Sequence, residues 1–222
     1  TPDWLVSWNG SNWQTPPVIG EPDGDVYDFV NFNDTLFFCG WFGHLNGITF
    51  GKVAAFDGTS CYNVGSMGMW AYALEVFNGE LYIGGYWGIR RYLGGTSWEN
   101  FAVQPSGDNG WVQELLTDTF NNFLYVGGQF MQIGNEPSVG IAMWDGFKWN
   151  AMGDYCDAFV WPQAMVVYQG DLYTGGGHYY DTLASKHMMY ITRWDGEQWD
   201  SIGGDFDGYI HAMEIFRNEI YM

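Results

Sequence analysis

"IAMWDGFKWNAMG" at residues 141–153 and "ITRWDGEQWDSIG" at 191–203 are near-copies, each built on Trp-Asp-Gly-x-x-Trp. The motif recurs in degraded form as "SWNGSNW" (7–13), "AFDGTSC" (55–61) and "YLGGTSW" (92–98). A second motif interleaves with it: "LFFCGWF" (36–42), "LYIGGYW" (81–87), "LYVGGQF" (124–130), "LYTGGGH" (172–178), then "IYM" at 220–222. A third precedes each of these: "VYDFVNFND", "AYALEVFNG", "VQELLTDTFNN", "PQAMVVYQG" and "IHAMEIFRN". The copies lie about 37–51 residues apart, the spacing of a four-stranded propeller blade.

Each copy reads as four antiparallel strands, a to d. "AYALEVF" is strand a, and Asn78-Gly79 turns it into strand b, "ELYIGG". "GIAMW" is strand c, and Asp145-Gly146 turns it into strand d, "KWNAMG". Asn-Gly and Asp-Gly suit the positive φ of type I′ turns. Paired glycines let a ring from a neighbouring strand lie against the backbone, and the two tryptophans fill wedge-shaped space between sheets. The Trp-Asp-Gly repeat is therefore architecture, and the fold class is all-β.

The expectation is a single β-propeller domain over 1–222, of five four-stranded blades. Four blades are complete, at about 26–70, 71–111, 112–161 and 162–210. Residues 1–25 supply only a c–d half and 211–222 only an a–b half, which would join as a composite fifth blade and remove the exposed edges. Because the chain stops at Met222, where the other copies continue to Gly-Gly, it reads as part of a larger protein.

The stretch "LYVGGQF…GIAMWDGFKWNAMG" resembles the kelch-like propeller repeats of secreted Bacteroidetes proteins, and it is similar to repeats of fungal cortical-marker proteins. As repeats, the resemblance covers nearly the whole chain. It implies a secreted or cell-surface protein, with the type IX secretion machinery as a partner, since such propellers are often its cargo. It supplies no catalytic motif.

Composition narrows the function. The chain holds 26 Asp and Glu against 7 Lys and Arg, for a formal charge of −19. Such a surface repels nucleic acid and anionic lipid and suits cations or basic partners. No apolar run approaches the ~20 residues of a membrane-spanning helix, so membrane insertion is not expected. Cys39, Cys61 and Cys156 have no metal-like spacing and allow at most one disulfide. Aromatics make up 20% of the chain, enough to fill a core and still leave rings for a surface.

On a rigid scaffold, variable loops carry function. Here the variable loops are the b–c connections, which share one face with the d–a connections. On or near that face lie Trp41, Trp87, Trp111, Tyr179 and Tyr180, candidate stacking partners for the rings of a glycan. Its acidic d–a loops offer Asp23, Asp25, Asp154, Asp157, Asp205 and Asp207 as oxygen ligands for Ca²⁺. His44, His178, Asp181, His187 and His211 are of metal-ligating type but match no established zinc spacing. Aligning the a strands places Asp28 and Glu114 where other copies have Ala73, Ala164 and Ala212. Two such carboxylates across a central channel would be an acid–base pair for glycoside cleavage.

The leading reading is a non-catalytic secreted or cell-surface binding module, part of an adhesin or a type IX cargo, with a protein or glycan ligand. The alternatives are a glycan-active hydrolase using Asp28 and Glu114, and a structural spacer.

Overall fold

The structure, a computed structural model, describes residues 5–16, 19–102, 110–152, 162–176, 179–181, 186–188, 191–203 and 208–222, with 179–181 and 186–188 as backbone alone. Every regular element among these residues is a β-strand, and none is a helix long and apolar enough to cross a membrane. Four antiparallel sheets of four strands dominate. Sheet I comprises Val26–Phe32, Thr35–Gly40, Val53–Phe56 and Cys61–Asn63, and sheet II Ala71–Phe77, Glu80–Gly85, Gly88–Gly94 and Ser97–Ala102. Sheet III comprises Trp111–Asp118, Phe123–Gln129, Ile141–Trp144 and Trp149–Ala151, and sheet IV Ala164–Tyr168, Asp171–Gly175, Ile191–Trp194 and Trp199–Gly203. In each, the strands pair in chain order a-b-c-d. The hairpins Ser7–Trp8/Trp13–Gln14 and Glu214–Phe216/Glu219–Tyr221 each stand as a two-stranded sheet.

Two compact units divide the chain, Thr1–Phe101 and Ala102–Met222. In the first, sheets I and II bury Phe37, Cys39, Val53, Ala55, Leu74, Leu81 and Ile83 in one cluster. Complete burial of a Phe-, Leu- or Ile-sized side chain is worth about 1.5–3 kcal/mol, so this cluster is what joins the two sheets. In the second unit Tyr125, Ile141, Met152, Met165 and Leu172 do the same for sheets III and IV.

The two kinds of hairpin turn use different chemistry, which corrects the expectation of type I′ turns throughout. Four of the a–b turns do place two consecutive residues at positive φ, Asn33-Asp34, Asn78-Gly79, Gln169-Gly170 and Arg217-Asn218, whereas in that of sheet III only Asn122 does so and Asp118 Oδ1 accepts the Phe120 and Asn121 amides. In the Trp-Asp-Gly turns only the glycine (Gly58, Gly146, Gly196) does so. There the aspartate acts as a cap. Asp57, Asp145 and Asp195 each accept, at Oδ1, the amides two and three residues on, at 2.7–2.9 Å. Asn9 accepts Ser11 and Asn12 in the same way.

The paired glycines also differ from expectation. In strand a the register slips by one residue, at Tyr27 in sheet I, Tyr72 in sheet II and Gln113 in sheet III. This bulge brings the carbonyls of Asp25, Trp70 and Trp111 so close to Gly40, Gly85 and Gly128 that a Cβ at any of the three would fall under 3 Å from the oxygen. The neighbour that demands glycine is therefore the backbone where strand a begins. A ring joins it only at Gly85, where the Trp87 ring also lies within contact distance.

The tryptophans do fill space between sheets. Trp144–Trp149 and Trp194–Trp199 are cross-strand pairs with ring centroids 5.2 Å apart. Two indoles at the start of strand d also hydrogen-bond the residue that directly follows the preceding sheet: Trp98 Nε1 donates to Val64 O at 2.7 Å, and Trp199 Nε1 to Met152 O at 2.5 Å. The equivalent Trp13 is 68% exposed. Trp98→Phe and Trp199→Phe are each expected to lower stability by about 1 kcal/mol, the usual net worth of a hydrogen bond, whereas Trp13→Phe leaves it unchanged. Urea denaturation of the three variants checks this contrast.

An exposed aromatic platform as candidate functional site

The bulge that selects the glycines also re-aims side chains at one end of the strands. In the first unit Tyr27 and Tyr72 occupy the bulge positions of sheets I and II, while Trp41 and Tyr86 directly follow Gly40 and Gly85. Trp70 directly precedes strand a of sheet II. These five rings form one contiguous group. Tyr27 stacks on Tyr72 with centroids 5.6 Å apart and planes at 21°. Trp70 meets Trp41 at 5.5 Å, Tyr86 at 5.3 Å and Tyr72 at 6.4 Å, each edge-to-face. Tyr72 and Tyr86 lie 6.0 Å apart and share a side-chain hydrogen bond.

The group faces solvent. Trp41 is 50% exposed, Tyr27 44% and Trp70 37%. Rings that belong to a core are covered, as Tyr82 and Phe77 are. An exposed, contiguous aromatic surface with a polar rim is the usual mark of an interaction site. Burial, followed by the neighbouring Tyr86 and Tyr27, holds the Tyr72 phenol well above its ordinary range; burial and the charge of Asp25 raise that of Tyr27. Both hydroxyls therefore stay protonated at neutral pH and can donate hydrogen bonds to a ligand.

The rim beside Trp41 is tied down by Asp23. Its Oδ1 accepts the amides of Gly43 at 2.6 Å and His44 at 2.8 Å, and its Oδ2 meets His44 Nδ1 at 2.7 Å. Burial alone would raise the Asp23 carboxyl, but the hydrogen bonds from His44 and Gly43 outweigh it and hold the group at about 2. Since the folded value lies below the ordinary 3.8, the stability this carboxylate contributes is complete above about pH 4 and is lost as pH falls towards 2. In Asp23→Asn, hydrogen exchange at the Gly43 and His44 amides is expected to accelerate at neutral pH while exchange within sheet II stays unchanged. Lys52 Nζ completes this rim, 3.4 Å from the Trp41 carbonyl oxygen.

Trp87 is half-buried, packed against the core of the first unit with its ring over Gly85, so it is not the open stacking ring expected. Trp111 is half-buried in the second unit, in register with Gln129. Tyr179 and Tyr180 lie on a short strand described as backbone alone. Of the proposed calcium ligands, Asp23 is committed to the clamp, and the Asp25 carbonyl accepts the Trp41 amide at 2.8 Å. Asp154, Asp157, Asp205 and Asp207 lie outside the described residues. Among the described residues no group of three or more His, Cys, Asp or Glu is arranged to hold a metal. His211 stacks on Tyr209, and His178 lies outside the described residues.

Asp28 and Glu114 do share one repeat position. Asp28 pairs with Cys39, Ala73 with Gly84, Glu114 with Gly127 and Ala164 with Gly175. The two carboxylates belong to different units. Both oxygens of Asp28 are engaged: Oδ1 accepts Phe29 N at 2.7 Å and Oδ2 accepts Leu74 N at 2.6 Å. Burial raises its carboxyl, with the two amides opposing. Asp28 thus ties sheet I to the Leu74 amide of sheet II.

Sequence reasoning reached Trp41 but not Tyr27, Trp70, Tyr72 or Tyr86. The available signal was positional: once the repeats are aligned on the second glycine, aromatic residues stand at the bulge in the first two copies, where Gln113 and Gln163 stand in the next two.

No family model matches the chain, and no curated protein matches it. Solved structures do. The extracellular domain of the hybrid two-component system BT4673 from B. thetaiotaomicron is similar with a TM-score of 0.64 and 14% identity over 94% of this chain. The extracellular domain described as the one-component system BT4673 from the same organism gives 0.61 and 16% over 94%. In both cases the chain spans 27% of the length of the protein it matches, and at this identity the likeness is one of fold.

Proposed function

We propose that this chain is a non-catalytic binding module of a secreted or cell-surface protein, and that its ligand is a glycan held on the platform of Tyr27, Trp41, Trp70, Tyr72 and Tyr86. The observation that carries this reading is the platform itself: five contiguous rings, three of them well exposed, rimmed by hydroxyls, a clamped carboxylate and an ammonium. Sugar rings present apolar C–H faces that stack on aromatics and hydroxyls that need polar partners, and this surface offers both. The neighbours of like fold are extracellular domains by description, which supports the extracellular setting. In the same reading, the four-stranded sheets are blades of a kelch-like β-propeller, with the terminal hairpins as its composite blade.

The test is a glycan array probed with the full chain and with Trp41→Ala. Binding that is lost in the variant supports the proposal. An array without hits, or hits indifferent to the substitution, overturns it and returns the surface to a protein ligand.

A further inference from the structure

Two carboxylates, Asp23 and Asp25, stand at the Trp41–Tyr27 end of the platform, and they differ in what answers their charge. Asp23 is committed to the clamp, where its oxygens hold the Gly43 and His44 amides and His44 Nδ1. Lys52 lies close by, since a Cβ at Gly43 would fall within 4.0 Å of both Asp23 Oδ2 and Lys52 Nζ. Asp25 engages its neighbours through its backbone, whose carbonyl accepts the Trp41 amide at 2.8 Å. Its carboxylate has no hydrogen-bond or ion-pair partner among the described residues.

That carboxylate lies where a ligand on the platform can reach it. Asp25 is only half-buried. It directly precedes strand a of sheet I and stands opposite Trp41, one step beyond the Val26–Gly40 pair. Side chains opposite one another on antiparallel strands share a face, with Cβ atoms about 4.5–5.5 Å apart, and here the Trp41 ring is exposed. Tyr27, two residues on, is exposed as well, and its phenol feels the charge of Asp25. A carboxylate without a counter-ion beside the electron-rich faces of exposed rings favours a cation, which both attract.

We infer that Asp25, with the Trp41 and Tyr27 rings, forms an ammonium subsite of the platform, so that the ligand is a glycan bearing free amino groups, of the glucosamine class. The inference rests on the glycan reading above and names the class of sugar. A sugar ammonium donates charge-assisted hydrogen bonds to the carboxylate, while the ring faces attract its positive charge. The field of the whole chain acts in the same direction: a net charge of −19 draws a cationic ligand in and repels one that carries uronate or sulfate groups.

The test measures binding of glucosamine oligosaccharides and of their N-acetylated counterparts of equal length to the wild-type chain, Asp25→Asn, Asp25→Ser and Trp70→Ala, in mildly acidic buffer that keeps the amines protonated. The wild type is expected to bind the amine form about tenfold or more tightly than the acetylated form, the scale of one charge-assisted hydrogen bond. Asp25→Asn and Asp25→Ser should erase most of that preference while keeping the binding of the acetylated form, and Trp70→Ala should weaken both. Each Asp25 variant retains the backbone carbonyl that holds Trp41, and thermal melts confirm that it is folded. Equal binding of the amine and acetylated forms, or full preference in a folded Asp25 variant, overturns the subsite. Amine binding undiminished in Trp70→Ala also overturns it, as attraction of a polycation to the acidic surface at large. If only acetylated glycans bind, and Trp70→Ala loses them, the subsite falls while the platform stands. If nothing binds, both fall.

Discussion

Trp70→Ala is expected to weaken glycan binding about 30-fold or more while leaving the fold intact. Trp70 is the hub of the platform, in edge-to-face contact with Trp41, Tyr72 and Tyr86. Truncating it removes its own contact with ligand and also frees three rings that it holds in place. Central aromatic residues of this kind typically cost about 2 kcal/mol or more on truncation, which corresponds to a factor of roughly 30 in Kd. Stability should change little, because Trp70 is 37% exposed and lies outside the main cluster of the unit. Trp87→Ala should show the opposite pattern, with a loss of stability, because its ring is packed on that cluster. Calorimetric titration alongside thermal melting separates the two effects.

Gly128→Ala and Gly40→Ala are expected to destabilise their units by about 2–3 kcal/mol each, the scale of an overpacked interior position. A methyl at either site would run into the backbone of strand a, at the Trp111 or Asp25 carbonyl. Backbone cannot swing aside as a side chain can, so the bulge must be distorted. Gly40→Ala should therefore also disturb the platform, since Tyr27 sits on that bulge and Trp41 follows the glycine directly. Gly208→Ala is the control: nothing lies within 4 Å of a Cβ there, and no loss is expected. Chemical denaturation of the three variants gives the comparison.

The sheets were legible from sequence because two strong local signals agreed: apolar runs of strand length, and turn residues between them at a fixed repeat. Asn78-Gly79 does what its composition says. The Trp-Asp-Gly turn was located but its chemistry was misread, because a pattern cannot distinguish an aspartate at positive φ from one that caps two amides with its side chain. The platform was largely hidden for a related reason. Strict alternation would continue through Tyr27 and Tyr72, but the one-residue bulge interrupts it there, and nothing in a single strand announces a bulge. Trp70 belongs to a connection rather than a strand, so periodicity assigns it no face. Trp87 misled in the other direction: it follows the glycine pair on a variable loop, yet glycine at 85 lets its ring fold back onto the strand.

Ligand is expected to bind on the exposed aromatic group of the first unit. The most direct measurement is a two-dimensional nitrogen–proton spectrum of the full chain, following the indole Nε1–H signals during titration with an oligosaccharide that binds on the array. Each signal is assigned from its Trp→Phe variant. The expected result is that Trp41 and Trp70 move together and saturate, while Trp98 and Trp199, whose indoles are held by Val64 and Met152, stay still. Saturable binding that leaves Trp41 and Trp70 unmoved would contradict the account.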